Sequence, residues 1–151
     1  MPERLIGRTL GKYRVESLLG TGGFAWVFAA SDPDLGVTVA LKVLKPQYAG
    51  DAEFESRFRR EASTAARLKH PNIIKIYTVG SEEKSVYFAM DMYTQKLTQQ
   101  IGVMGSLPES AVLKLGLDIS SALGFAHRQG VIHRDIKADN ILFDDHGNAI
   151  V

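Results

Sequence analysis

The 151 residues are 45% hydrophobic and 23% charged, with a formal net charge of +1, the composition of an ordinary globular domain with room for a core. A balance so close to neutral offers nothing particular to nucleic acid or an anionic membrane, and the lack of cysteine rules out disulfides and thiolate metal sites. Met1-Pro2-Glu3-Arg4 lacks the apolar run of a signal peptide and no stretch approaches a membrane span. The chain therefore reads as cytoplasmic, with no membrane contact from this segment.

After an N-terminal tail (residues 1–11), the pattern from Tyr13 to Leu44 is strand-like. Tyr13–Leu19, Trp26–Ala30 and Val37–Leu44 are separated by short turns, which predicts an antiparallel meander. Asp51 is a candidate N-cap for a helix from Ala52 to Lys69, ended by His70-Pro71-Asn72. Phe54, Phe58, Ala65 and Leu68 fall on one face of that helix, and Glu61 fills the missing heptad position. A carboxylate on an apolar stripe needs a cationic partner. Arg57, Arg59, Arg60 and Arg67 solvate the outer faces. Ile73–Val79 and Val86–Met92 are two more strands, joined by the polar turn 80–85. After a short polar passage, Ser106-Leu107-Pro108-Glu109 has the form of a capping box. It opens a helix to about Arg128, closed by Gly130, with Val112, Leu115, Ile119, Ala122 and Ala126 as its inner stripe. Leu113, Leu117 and Leu123 widen that stripe, as in a largely buried helix. Composition shifts near Tyr93 from β-rich to helical, which predicts a boundary between two lobes, residues 12–93 and 94–151.

Three features carry chemistry. Gly20-Thr21-Gly22-Gly23-Phe24-Ala25-Trp26-Val27 lets backbone approach a ligand and can aim N–H groups at phosphate oxygens. It leads into a strand rather than a helix, which argues against a Rossmann site, and it lacks a Walker ending. A plain hairpin turn is the competing reading. Lys42 lies in the otherwise apolar Val39-Ala40-Leu41-Lys42 and shares a face with Ala40; a snorkelling lysine is the alternative. Glu61, which needs a cation, favours a Lys42–Glu61 pair beside an anionic ligand. Finally, Val131–Leu142 packs polar groups between aliphatic pairs, a loop held by short buried strands. Asp135 can accept a hydroxyl proton, Lys137 can neutralise an anion and Asn140 can offer its carbonyl oxygen to Mg2+. Together these suggest phosphoryl transfer.

The glycine-rich loop, the Val-Ala-Leu-Lys strand, the helix glutamate and His133-Arg134-Asp135-Ile136-Lys137-Ala138-Asp139-Asn140 occur in one order and spacing. In this the sequence resembles the eukaryotic-like protein kinases, and most of all their bacterial serine/threonine members. The resemblance implies an α+β, two-lobed fold. A five-stranded antiparallel sheet with one helix forms the small lobe, and hinge, helices and catalytic loop form an incomplete, mainly helical large lobe. It implies ATP and Mg2+ as cofactors and protein Ser/Thr hydroxyls as acceptors. Leu19, Gly20, Gly22, Gly23 and the backbone to Ala25 would cover the nucleotide, with Val27 and Ala40 over the adenine. Lys42 would bind the α- and β-phosphates, steadied by Glu61. Asp91 and Tyr93 would offer backbone hydrogen bonds to the adenine edge behind a gatekeeper at Met90, with Leu142 below. Asp135 would be the catalytic base, Lys137 would steady the γ-phosphate and Asn140 would ligate Mg2+. Lysine two residues after the aspartate is typical of serine/threonine members. His133 would be structural, Arg134 would pair with a phosphorylated activation loop, and Asp139 would be a solvated neighbour.

Ala25 replaces the third glycine, and the hinge Thr94-Gln95-Lys96 lacks the usual glycine and acidic residue. The chain reads as truncated before Asp-Phe-Gly, so that the parent would be the active kinase and this segment alone inactive. The resemblance leaves room for a homodimer of the parent and for membrane anchoring through a later segment. Two alternatives are an ATP-binding or regulatory module without catalysis, and a small-molecule phosphotransferase. Against the latter, Arg134 and Lys137 stand where those enzymes usually have glycine and histidine.

Overall fold

Alternating apolar residues between Tyr13 and Leu44 build the centre of the structure, a computed structural model that describes residues 1–151. The chain divides into two units, Met1–Ala66 with Lys75–Met92, and Arg67–Ile74 with Tyr93–Val151.

The first unit is a six-stranded antiparallel sheet, one strand more than the five expected. Its strands are β1 (Thr9–Leu10), β2 (Tyr13–Thr21), β3 (Ala25–Asp32), β4 (Val37–Leu44), β5 (Ile76–Glu82) and β6 (Ser85–Met90), in the order β1-β2-β3-β4-β6-β5. The two-residue period splits the side chains cleanly. Trp26, Phe28, Val39, Leu41, Val43, Tyr87 and Ala89 join one core, while Ala25, Leu44, Val86 and Phe88 join another. Phe28 and Leu41 are direct partners in the register, and both are fully buried.

The residues expected to be a tail are ordered. A 3-10 turn at Pro2–Leu5 is followed by β1, which pairs with Tyr13 and Arg14 of β2. Leu10 is buried in the first core and Leu5 packs against it. A two-residue strand has too little periodicity to be legible in sequence. Tyr87 runs between Gly11 (φ +59°) and Gly80, where an added Cβ would stand 2.6 Å from the Tyr87 hydroxyl. The turn after β5 is also tighter than expected. The strand continues to Glu82, and Glu83 and Lys84 alone reverse the chain with φ of 44° and 68°, the left-handed pair of a two-residue hairpin. At the β3–β4 turn, buried Asp32 accepts the N–H groups of Asp34 and Leu35 and pairs with Lys12 at 2.9 Å. The Lys12 ammonium and those N–H groups hold its carboxyl below the usual carboxylate range, and Asp32 raises the Lys12 pKa.

Helix α1 (Ala52–Arg67) begins where expected. Asp51 Oδ1 accepts the N–H groups of Glu53 and Phe54, at 2.9 and 3.4 Å. It ends two residues earlier than expected, and its buried residues are Phe58 and Ala62, with Phe58 stacked 4.9 Å from Phe88. Glu61 is a correction to the expected stripe: it sits at the rim of the packed face, its side chain 59% exposed.

The second unit contains α2 (Leu97–Met104), α3 (Glu109–Arg128) and a three-stranded sheet of β7 (Gln95–Lys96), β8 (Leu142–Phe143) and β9 (Ala149–Ile150). Neither α2 nor the small sheet is signalled by the polar hinge. The capping box at 106–109 does not form: Pro108 is the N-cap, with no side-chain bond, and its carbonyl accepts Val112 N–H. Helix α3 is also less buried than expected. Ala122 and Ala126 are buried and Leu115 and Ile119 pack against Leu97, Ile141, Phe143 and Ala149. Val112, Leu113 and Leu117 are exposed. Val131-Ile132 is not a strand, and Ile132 is exposed, so only the Ile141–Phe143 side anchors the loop in a core. No helix is long and apolar enough to cross a membrane.

Candidate active site

In the first unit, the period of β4 places Ala40, Lys42 and Leu44 on the face that carries the α1-side core. Lys42 reaches Glu61 with Nζ 2.7 Å from Oε1, and the ammonium also lies 5.4 Å from the centre of the Phe88 ring. A pair with one side chain 28% and the other 59% exposed contributes at most about 1 kcal/mol to stability. Its value lies in orientation: the carboxylate fixes the direction of a long, flexible cation. Ala40 is buried and pairs with half-buried Met90, while Val27 is half-buried opposite Lys42. Leu19 is exposed near the end of β2.

The fold itself does not account for the loop glycines. Gly20 and Gly23 have no left-handed φ, and a Cβ at either would meet nothing within 4 Å. A Cβ on Gly22 would make only an ordinary contact with the Ala25 carbonyl, 3.5 Å away. Nothing in the chain's own packing asks for glycine at these positions, so the open backbone suits the close approach of an outside group.

The second unit gathers Asp135, Lys137 and Asn140 within one short loop. Arg134 takes a left-handed φ of 67°, a conformation that costs a non-glycine residue about 1–2 kcal/mol. The Asp135 N–H then points back to His133 Nδ1 at 3.2 Å. A 3-10 turn at Ala138–Asn140 brings the Asn140 amide round, and its Nδ2 donates to the Asp135 carbonyl at 2.8 Å and to Oδ2 at 3.0 Å. Lys137 Nζ stands 3.4 Å from the same Oδ2. With Nδ2 committed to Asp135, the Asn140 Oδ1 is the amide atom left to face a hard cation. His133 accepts this hydrogen bond within the loop and is exposed. Leu142 is half-buried in β8, paired with Lys96 and Ile150.

The sequence matches the protein kinase domain over residues 13–151. It is 42% identical to serine/threonine-protein kinase PrkC of Bacillus subtilis (strain 168), over 95% of this chain and 22% of that protein. The chain belongs to the protein kinase family. It is also 39% identical to the probable serine/threonine-protein kinase PknB of Bifidobacterium longum, over 97% of this chain, and 35% identical to CBL-interacting protein kinase 19 of rice, over 94%. The chain spans 22–28% of the length of these relatives.

Sequence reasoning missed the polar clamp on the end of this kinase segment. His70-Pro71-Asn72 reads in sequence as a helix terminator, yet Asn72 is buried and donates Nδ2–H to the Ala149 carbonyl at 2.9 Å. Its backbone carbonyl accepts Val151 N–H, and Val151 in turn accepts Ile74 N–H. His70 Nδ1 accepts Asn72 N–H, so Nε2 carries the ring proton and donates it to Ser121 Oγ at 3.0 Å. From α3, Asp118 accepts Ala149 N–H at 2.9 Å and Lys114 Nζ at 2.8 Å. The only signal was a pair of polar residues beside proline, which loops also supply. The turn before β9 is similarly tied: Asn148 and the His146 N–H bond to Asp144 and hold its carboxyl below the usual range.

Proposed function

We propose that this chain is the nucleotide-binding and catalytic-loop part of a kinase that transfers the γ-phosphate of ATP to serine and threonine hydroxyls of protein substrates. The observation that carries this reading is the Asp135–Lys137–Asn140 group. Its carboxylate is fixed by an amide and flanked by a cation, which suits accepting a hydroxyl proton next to a phosphate. Asp135 takes the proton as the hydroxyl oxygen attacks the γ-phosphorus and ADP leaves with the bridging oxygen. Lys137 steadies the transferring phosphate, and Arg134 is held for an activation-loop phosphate.

On the nucleotide side, Lys42, oriented by Glu61, binds the α- and β-phosphates. The loop from Leu19 through Gly20, Gly22 and Gly23 covers them, and Val27, Ala40, Met90 and Leu142 contact the base. The Asp91 N–H is committed to the Lys75 carbonyl at 3.0 Å, so Asp91 serves adenine through its carbonyl and Tyr93 supplies the N–H. Bound Mg2+ would neutralise charge on the phosphates. Asn140 Oδ1 offers it one hard oxygen, and no cluster of three or more acidic or imidazole groups stands elsewhere in the chain to hold it. The lobe boundaries are proposed at residues 12–93 and 94–151.

The test uses the full-length protein with radiolabelled ATP and separate protein and aminoglycoside acceptors. Asp135→Asn is expected to lower protein phosphorylation by about 10²–10⁴-fold. The same rate in Asp135→Asn as in the parent would sink the assignment, and label in the aminoglycoside alone would favour a small-molecule phosphotransferase. The 151-residue chain by itself is expected to show no transfer.

A further inference from the structure

The glycine-rich turn is held from beneath by a residue that the kinase reading leaves unassigned. Lys45 directs its ammonium to the carbonyls of Gly22, at 2.6 Å, and Gly23, at 3.0 Å. Its own backbone N–H takes the next carbonyl, that of Phe24, at 2.9 Å. One residue thus captures three consecutive carbonyls. In a planar trans peptide the N–H points opposite to the C=O. Capture therefore turns the N–H groups of Gly23, Phe24 and Ala25 away from Lys45, a row of donors of the kind that binds oxyanions.

A second set of contacts reaches α1. Phe24 is 55% exposed, yet its ring lies 5.4 Å from Tyr48 and 5.3 Å from Phe54, which are 4.6 Å from each other. Tyr48 is fixed by a turn on the Lys45 carbonyl, and Phe54 stands in the first turn of α1 over the Asp51 cap. Seven residues on, two turns along the same face, is Glu61 with its bond to Lys42. The helix is thus tied to the glycine-rich turn by aromatic rings in its first turn, to β6 by Phe58 on Phe88, and to β4 by the Glu61–Lys42 ion pair.

We propose that Lys45, Tyr48 and Phe54 are positioning residues that latch the glycine-rich turn with its N–H groups presented to phosphate. The latch makes that presentation depend on where α1 sits. This rests on the nucleotide-binding reading above. A shift of α1 that draws Glu61 from Lys42 also draws Phe54 from Phe24, so lysine and loop lose their phosphate-binding geometry together.

Two measurements on the full-length protein test it, ADP affinity with Mg2+ present and amide hydrogen exchange without nucleotide. Lys45→Met keeps the backbone N–H and the aliphatic stem but loses the ammonium. It is expected to weaken ADP binding about tenfold and to speed exchange at the Gly22 and Lys45 amides, with the thermal midpoint unchanged. Lys45→Arg should recover most of both. Phe54→Ala and Glu61→Gln should each weaken ADP binding, and their combination should weaken it by less than the product. Unchanged exchange in Lys45→Met, or faster exchange with ADP affinity within twofold of the parent, overturns the proposal. If the parent itself binds no ADP, the nucleotide-binding reading fails and the positioning role falls with it. The exchange data would then show whether the carbonyl capture exists on its own.

Discussion

In the first unit the Lys42–Glu61 pair joins residues 19 apart in sequence and stands on a sheet with both faces packed. In the second, Asp135, Lys137 and Asn140 are held by bonds that span five residues or fewer, beside a small core of four buried residues and their partly buried neighbours. The difference is one of dependence. Misplacing the sheet or α1 separates Lys42 from Glu61, whereas the loop geometry is set locally and needs only its Ile141–Phe143 anchor. Charge placed by long-range packing is sensitive to the fold; charge placed by short-range hydrogen bonds is sensitive to its own residues.

The largest expected effect follows from the packed sheet. Phe28 is fully buried at the centre of β3 opposite Leu41, and Phe28→Ala is expected to cost about 3–5 kcal/mol in chemical denaturation. A cost below about 1 kcal/mol would mean the first unit is far looser than its burial implies. Next comes the clamp of the second unit. Asn72→Ala removes the donor to the Ala149 carbonyl and leaves a buried acceptor unpaired, a loss of about 1–3 kcal/mol. Exchange should quicken at the Val151 and Ile74 amides, which that clamp aligns. Equal protection in mutant and parent would show that Asp118 and the β8 pairing hold β9 without the Asn72 side chain.

These two residues also show what was legible. The sheet and α1 follow from period-two and heptad patterns, because burial repeats along the sequence; Glu61 meets Lys42 from the exposed rim of that helix rather than from the buried stripe its heptad position predicted. The Asp135–Asn140 group was legible for the opposite reason: its contacts are local, so spacing alone brings them together. What could not be read rests on long-range polar or short irregular contacts. Asn72 meets Ala149 across 77 residues, β1 has two residues, and Lys45 was one cation among many. The exposure of Leu113 and Leu117 on α3 was hidden too, since an apolar stripe states a hydrophobic face without stating whether anything covers it.

A smaller effect separates the units by pH. Asp32 is depressed in the folded state, so its contribution is present above the ordinary carboxylate value near pH 4 and is lost as pH falls through its lowered one. Lys12 is raised, so its contribution is present below the ordinary lysine value of about 10.4 and is lost as pH climbs through its raised one. Lys12→Met should flatten both limbs of the stability–pH curve and leave the plateau between them level. Limbs as steep in Lys12→Met as in the parent would assign the acid sensitivity to other carboxylates, Asp144 first among them.

The smallest expected effect is at Leu117, 73% exposed on α3. A buried leucine replaced by a polar side chain loses its transfer energy and leaves an unpaired amide, typically several kcal/mol. An exposed one loses almost nothing, because water already surrounds it in the folded chain. Leu117→Gln in the 151-residue chain is therefore expected to shift stability by no more than about 0.5 kcal/mol. Less apolar surface should also lower self-association in sedimentation. A loss of more than about 2 kcal/mol would mean that Leu117 is buried in solution and that the second unit packs more of α3 than its four-residue core contains.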